Sequence, residues 1–229
     1  MRLYGLVTDP TSIPVQLPPS ATYAEAGAYF RPPAALAGAG LSTYFVFLSL
    51  RPLGTRARAP IAPPMKTLYL MRHAKSDWDF AVSDRERPLN ERGRRDAPFM
   101  AQQLLAREIA PLDLIICSPA VRTLSTATLV AKELDYDPLK IQVEDELYEA
   151  DRENYLNVIS RLRPALEEVM IVGHNNTITD VANFLSPQFV PELPTAAIVC
   201  LHFDTMSWKN LARDSAEFGF FDFPKNYDL

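Results

Sequence analysis

His73 and His174, with Arg72 and Arg122 beside them in the chain, are the residues whose types and settings permit group-transfer chemistry. Each lies just beyond a short apolar run. Residues 67–71 lead into Arg72-His73, residues 112–117 into Ser118-Pro-Ala-Val-Arg122, and residues 168–172 into Gly173-His174-Asn175. A further run at 141–143 leads into Asp145-Glu-Leu-Tyr-Glu149. A guanidinium stays charged and offers a planar fork of donors matched to phosphate oxygens. Several converging on one place repel each other unless an anion sits among them. An imidazole in that field is held neutral, because cations disfavour a further positive charge. A neutral imidazole has a free lone pair and can attack phosphorus, forming a covalent phosphohistidine. The arginines and a second histidine would then stabilise charge on the equatorial oxygens of the transferring group. Guanidiniums doing this need no metal and no cofactor.

The apolar runs are the elements that must position these groups. Runs this short read as buried strands, and functional groups in open α/β sheets gather at the carboxyl ends of strands. Between the runs the pattern turns helical. Asn90 is placed as an N-cap, and Ala97, Met100, Ala101, Leu104 and Leu105 share one helical face. Pro98 lies inside that pattern and is expected to bend the helix or delay its start. Pro119 suits the first turn of a helix running to about Leu134. Further helices are expected over about 153–162 and around Ile178, Val181, Ala182 and Leu185, with a closing hairpin from 196–203 and 208–212. Strands alternating with helices predict an α/β fold, three-layer α/β/α with a mainly parallel central sheet.

That pattern begins near Met65. Residues 1–64 hold 10 of the 20 prolines and 5 of the 8 glycines, with five arginines, no lysine, and only Asp9 and Glu25 as acids. They show no sustained period, so they are expected to form a Pro-rich disordered extension, and 65–229 the folded domain. The apolar stretch 41–50 is far shorter than the ~20 residues needed to span a bilayer. Arg51, Arg56 and Arg58 follow it, where a secretory signal should carry no such charge. A formal charge of −5 over the 229 residues gives no electrostatic footprint for nucleic acid. Two cysteines, Cys117 and Cys200, rule out a disulfide scaffold or a Cys-rich zinc module. A cytoplasmic protein with no membrane or nucleic-acid partner is expected.

Four segments together resemble the histidine phosphatase superfamily, and within it the SixA-like phosphohistidine phosphatases. They are Leu70-Met-Arg-His-Ala-Lys-Ser-Asp77, Asp84 followed by Arg87-Pro-Leu-Asn-Glu-Arg-Gly93, Cys117-Ser-Pro-Ala-Val-Arg122, and Val172-Gly-His-Asn175. The resemblance spans essentially all of 65–229 and implies a phosphoglycerate mutase-like fold. It implies His73 as the nucleophile, Arg72, Arg122 and His174 as the rest of the phosphate pocket, and Arg87 as a further phosphate contact. Glu149 stands where the wider superfamily places its proton donor, although Leu-Tyr-Glu-Ala departs from the mutase pattern. Ala74 stands where much of the superfamily has Gly. Pro194-Thr195-Ala196-Ala197 also resembles this branch, with backbone near the phosphate.

The activity implied is a metal-independent phosphatase acting on a phosphorylated protein, with phosphohistidine as the substrate group. Short connections imply an open pocket that suits a protein-borne group. Two alternatives stand beside it: a phosphatase or mutase acting on small phosphorylated substrates, and a non-catalytic phosphate-binding module. Arg87 has the plainer reading of an ion pair with Asp84 or Glu86, and Glu149 that of a solvated acid. His202 reads as an ordinary strand residue and Cys117 as a small buried hydrophobe. Four residues separate Cys117 from Arg122, which does not match the Cys-(x)5-Arg loop of cysteine phosphatases. Arg92-Gly-Arg-Arg95 reads as a solvated helix face. Phe218, Phe220, Phe221 and Phe223 are expected to pack the tail onto the core or to form an aromatic lip at the pocket.

Overall fold

A strand without polar alternation must be covered on both faces, and the strand Met65–Arg72 (β1) is covered in this way. Leu68 and Leu70 point into one apolar cluster, Tyr69 and Met71 into another. The computed structural model describes residues 65–79, 81–209 and 211–227. The extension expected over 1–64 lies outside the described residues.

β1 is joined by β2 (Leu114–Cys117), β3 (Gln142–Val143), β4 (Glu168–Gly173), β5 (Ile198–Asp204) and β6 (Glu217–Asp222) in one sheet. The strand order is β3-β2-β4-β1-β5-β6. Neighbours from β3 to β1 run parallel, while β5 and β6 are antiparallel additions at one edge. Helices α1 (Glu91–Ala106) and α2 (Val121–Glu133) cover the face of Tyr69, Met71, Ile115 and Val172. Helices α3 (Arg152–Ser160) and α4 (Thr177–Leu185) cover the face of Leu68, Leu70, Ile116 and Ile171. This is the expected three-layer α/β/α arrangement.

Sheet order brings the site together. β4 lies between β1 and β2, with Arg72 opposite Gly173 and Cys117 opposite Val172. Three chain segments far apart in sequence therefore leave the sheet side by side.

Several local expectations need correction. Pro98 does not delay α1, which starts at Glu91 with the Asn90 side chain accepting from the Gly93 amide at 2.9 Å. The proline removes one intrahelical donor, and the apolar face still carries the helix across it, with Ala97, Met100, Ala101 and Leu104 all buried. Pro119 lies outside α2, whose N-cap is Ala120, so Arg122 is the second helical residue. The strand that follows β5 and pairs with it is Glu217–Asp222, and the described residues of the expected second strand, 208–209 and 211–212, are not in a strand. Trp208 is fully buried from a loop, its indole N–H donating to the Leu166 carbonyl at 2.8 Å. Apolar residues filling a core from a loop mimic a strand in sequence.

The C-terminal phenylalanines pack on the core. β6 pairs Phe220 with Cys200 and Phe218 with Leu201, so Gly219 is the extra residue of a bulge. The bulge sends Phe218 and Phe220, two apart in sequence, to opposite faces of the sheet. Arg92, Arg94 and Arg95 lie on an exposed face, and Arg92 and Arg95 hold the buried Asp96 at 3.0 and 2.9 Å.

Candidate active site

His73 is the first residue past β1 and only 9% exposed. Its backbone is held from both sides: its N–H donates to the Gly173 carbonyl at 3.0 Å, and its carbonyl accepts from the Ala196 amide at 3.2 Å. The ring Nδ1 lies 2.8 Å from the Ala74 carbonyl. A carbonyl can only accept, so Nδ1 carries the proton and Nε2 keeps its lone pair. Burial is the main force pushing this imidazole down to about 3; the Ala74 bond opposes it, and His174, Arg122 and Arg72 reinforce it. His73 is uncharged at neutral pH.

The His174 ring meets His73 edge-on, with centroids 5.4 Å apart. Its Nδ1 accepts from Arg122 Nη2 at 3.2 Å, which leaves Nε2–H to donate to Ser118 Oγ at 2.7 Å. Burial, then the Arg122 charge, lowers it to about 4, with Asp84 opposing. The His174 amide donates to the Tyr155 hydroxyl at 3.2 Å. A Cβ on Gly173 would sit 2.0 Å from that hydroxyl oxygen, so only glycine fits there.

Arg72, Arg87 and Arg122 come to the same cavity of about 380 Å³, with His73 and His174 in its wall. Arg72 Nη1 donates to the Leu193 carbonyl at 2.6 Å. Arg122 donates to the Asp84 carbonyl at 2.5 Å and to its carboxylate at 2.9 Å, and Arg87 reaches the other carboxylate oxygen at 2.5 Å. Even so, Nε of Arg72, Nε and Nη1 of Arg87, and Nε of Arg122 are buried without an acceptor among the described residues. A buried donor left unpaired costs about 1–3 kcal/mol. The three guanidiniums that carry these atoms all line the cavity, and so concentrated a positive charge favours an anion there.

Arg87 pairs with Asp84, as its plainer reading has it, and also lines the cavity. Asp84, read from the sequence only as part of the second motif and as a partner for Arg87, is the carboxylate that ties two of the arginines together. Burial raises its carboxyl, but Arg122, Arg87 and the Tyr148 hydroxyl outweigh that and hold it below its usual range. Its sequence signals, a place at the head of the second motif and three residues before Arg87, gave it no role of its own. Ser118, Tyr155, Tyr148 and Trp78 were likewise invisible as site residues.

Glu149 lines the cavity from an exposed rim in the left-handed region at φ 52°. Among the described residues, no hydrogen bond ties it to the arginines or histidines. Thr195 also lines the cavity, while the Ala196 amide is committed to the His73 carbonyl, so this loop supports the histidine backbone. None of the C-terminal phenylalanines lines the cavity, so they form no lip there. His202 lies within β5, and Cys117 is fully buried.

A three-layer α/β/α protein with two neutral imidazoles among anion-seeking guanidiniums belongs to the class of phosphoryl-handling proteins. A family model, the histidine phosphatase superfamily (branch 1), matches residues 68–161, and the chain belongs to this superfamily. An uncharacterized chloroplastic protein of Arabidopsis thaliana is 29% identical over 169 residues, covering 70% of this chain and 77% of that protein. Phosphoserine phosphatase 1 of Hydrogenobacter thermophilus is 34% identical over 109 residues, covering 46% of each chain. Among solved structures, a candidate phosphohistidine phosphatase SixA from Nakamurella multipartitia has a TM-score of 0.60 at 27% identity. The match covers 70% of this chain and 96% of that one. Fold and relatives together support phosphatase activity on a phosphorylated substrate. No helix among the described residues is long and apolar enough to cross a membrane.

Proposed function

We propose that residues 65–229 are a phosphatase domain that removes phosphoryl groups from phosphohistidine carried on a protein, by way of a covalent phosphoenzyme at His73. The observation that carries this reading is the His73 ring. Its Nδ1 is engaged with the Ala74 carbonyl, so Nε2 presents a lone pair to a cavity walled by three guanidiniums. In the first step a bond forms from Nε2 to phosphorus as the bond from phosphorus to the donor's ring nitrogen breaks. The donor ring, already protonated from solvent on its other nitrogen, takes the electron pair and leaves as neutral imidazole. In the second step water attacks phosphorus, the bond to Nε2 breaks, and inorganic phosphate departs. Arg72, Arg87 and Arg122 hold the equatorial oxygens, where charge accumulates, and His174 joins them by turning its Nε2–H from Ser118 Oγ to an oxygen. Glu149 is at the rim, where it would protonate a leaving group too basic to depart unaided. An imidazole departs readily, so this help is secondary for phosphohistidine.

The resemblance to SixA supports the protein-borne substrate. The buried free thiols Cys117 and Cys200 fit a reducing compartment such as the cytoplasm. A second reading, a small phosphomonoester as substrate, draws on the likeness to phosphoserine phosphatase 1.

The test is mass spectrometry under conditions that preserve acid-labile phosphate, after incubation with a phosphohistidine protein. Phosphate on His73, absent from His73→Gln, is the expected result. Efficient hydrolysis of small phosphomonoesters with phosphohistidine proteins left untouched would overturn the protein-substrate reading.

A further inference from the structure

We infer that Trp78 is a specificity-determining residue that selects phosphoryl donors with a flat aromatic leaving group; this rests on the covalent His73 reading above. Trp78 lines the cavity yet is 71% exposed, which is unusual for an indole. Its inner face lies flat on the Arg87 guanidinium, with the guanidinium carbon 3.4 Å from the ring centroid. Arg87 is itself buried and anchored to Asp84 at 2.5 Å, so the indole rests on a fixed plate. The stack holds the ring in place although its outer face is free.

The direction of the reaction places the leaving group against that ring. In phosphoryl transfer the entering and leaving atoms lie roughly in line through phosphorus. His73 is 9% exposed and enters from the buried side of the cavity, so the leaving atom points out through the mouth. Trp78 is one wall of that mouth. Tyr148 is another, its ring edge-on to His174 at 5.9 Å and its hydroxyl 3.2 Å from the Asp84 carboxylate. A planar ring leaving between them is stacked as it departs, while an ammonia or alkyl group finds nothing to stack on. An aromatic pair contributes about 0.5–1.5 kcal/mol beyond burial, which at ~1.4 kcal/mol per tenfold is a preference of about twofold to slightly over tenfold.

The test compares two small donors that both break a phosphorus–nitrogen bond, N-phosphorylimidazole and phosphoramidate, of which the first carries the ring and the second an amino group. The readout is the ratio of kcat/KM on the first to kcat/KM on the second. Trp78→Ala is expected to lower that ratio by more than about twofold and up to slightly over tenfold, Trp78→Phe to hold it within about twofold, and Trp78→Leu to fail to restore it. Using the ratio cancels any general loss from a loosened Arg87. A ratio unchanged in Trp78→Ala, or restored by leucine as well as by phenylalanine, overturns the inference. If the wild type cleaves neither donor, the phosphohistidine reading fails separately. The same ratio on p-nitrophenyl phosphate over glycerol phosphate then decides the role of Trp78.

Discussion

Replacing His73 with glutamine should change how the stability of the protein depends on pH, because the native state refuses a proton that the unfolded chain accepts. Burial, with Arg122 and Arg72 nearby, pushes the native imidazole down to about 3, whereas an unfolded histidine titrates near 6.5. Between those values the unfolded state binds one more proton than the native state, so stability rises with pH. The contribution is fully present above about pH 6.5 and is lost progressively as pH falls toward 3. At pH 5 the unfolded imidazole has gained about 1.5 pH units of protonation free energy, or about 2 kcal/mol. His174, lowered to about 4, adds a contribution of the same sign. Urea unfolding of the wild type and His73→Gln at pH 7.5 and pH 5.0 isolates the His73 share, since carboxylates and His174 titrate in both. The wild type is expected to lose about 2 kcal/mol more than the variant over that interval. Equal losses, within about 0.5 kcal/mol, would mean that this ring is not held neutral, and the nucleophile argument would fail with it.

Gly173→Ala would put a Cβ 2.0 Å from the Tyr155 hydroxyl oxygen and force it away; a loss of about 1–3 kcal/mol in urea unfolding is expected, with part of it recovered in the Gly173→Ala, Tyr155→Phe double variant. Arg122→Lys keeps the charge but not the fork that reaches Asp84 and His174 together, so steady-state kcat should drop roughly 10²-fold or more. Glu149→Gln should leave kcat on a phosphohistidine peptide within about threefold and lower it by about 10²-fold on an alkyl phosphate, whose leaving group needs a proton; similar losses on both substrates would refute the leaving-group argument.

That Arg72, His73, Arg122 and His174 share one cavity was legible in the sequence because each lies just past or at the end of an apolar run that reads as a buried strand, and the ends of parallel strands lie together. The helical faces and the Asn90 cap were legible for a similar reason, since period and capping are properties of near neighbours. Failures came where the deciding contact is distant. Trp208 sits in an apolar pattern like a strand's, yet it fills the core from a loop beneath Leu166, and the true edge strand carries a bulge at Gly219. Asp84 looks like any surface acid until Arg122, 38 residues on, folds over it. The residue types alone determined that this chain could gather cations and imidazoles for a phosphoryl group. Only the placement of β4 between β1 and β2 decided that they meet, which ring nitrogen keeps its lone pair, and which carboxylate holds the arginines. Local pattern encodes what each segment prefers by itself, whereas hydrogen-bond partners and burial arise only once strands distant in the chain are packed together.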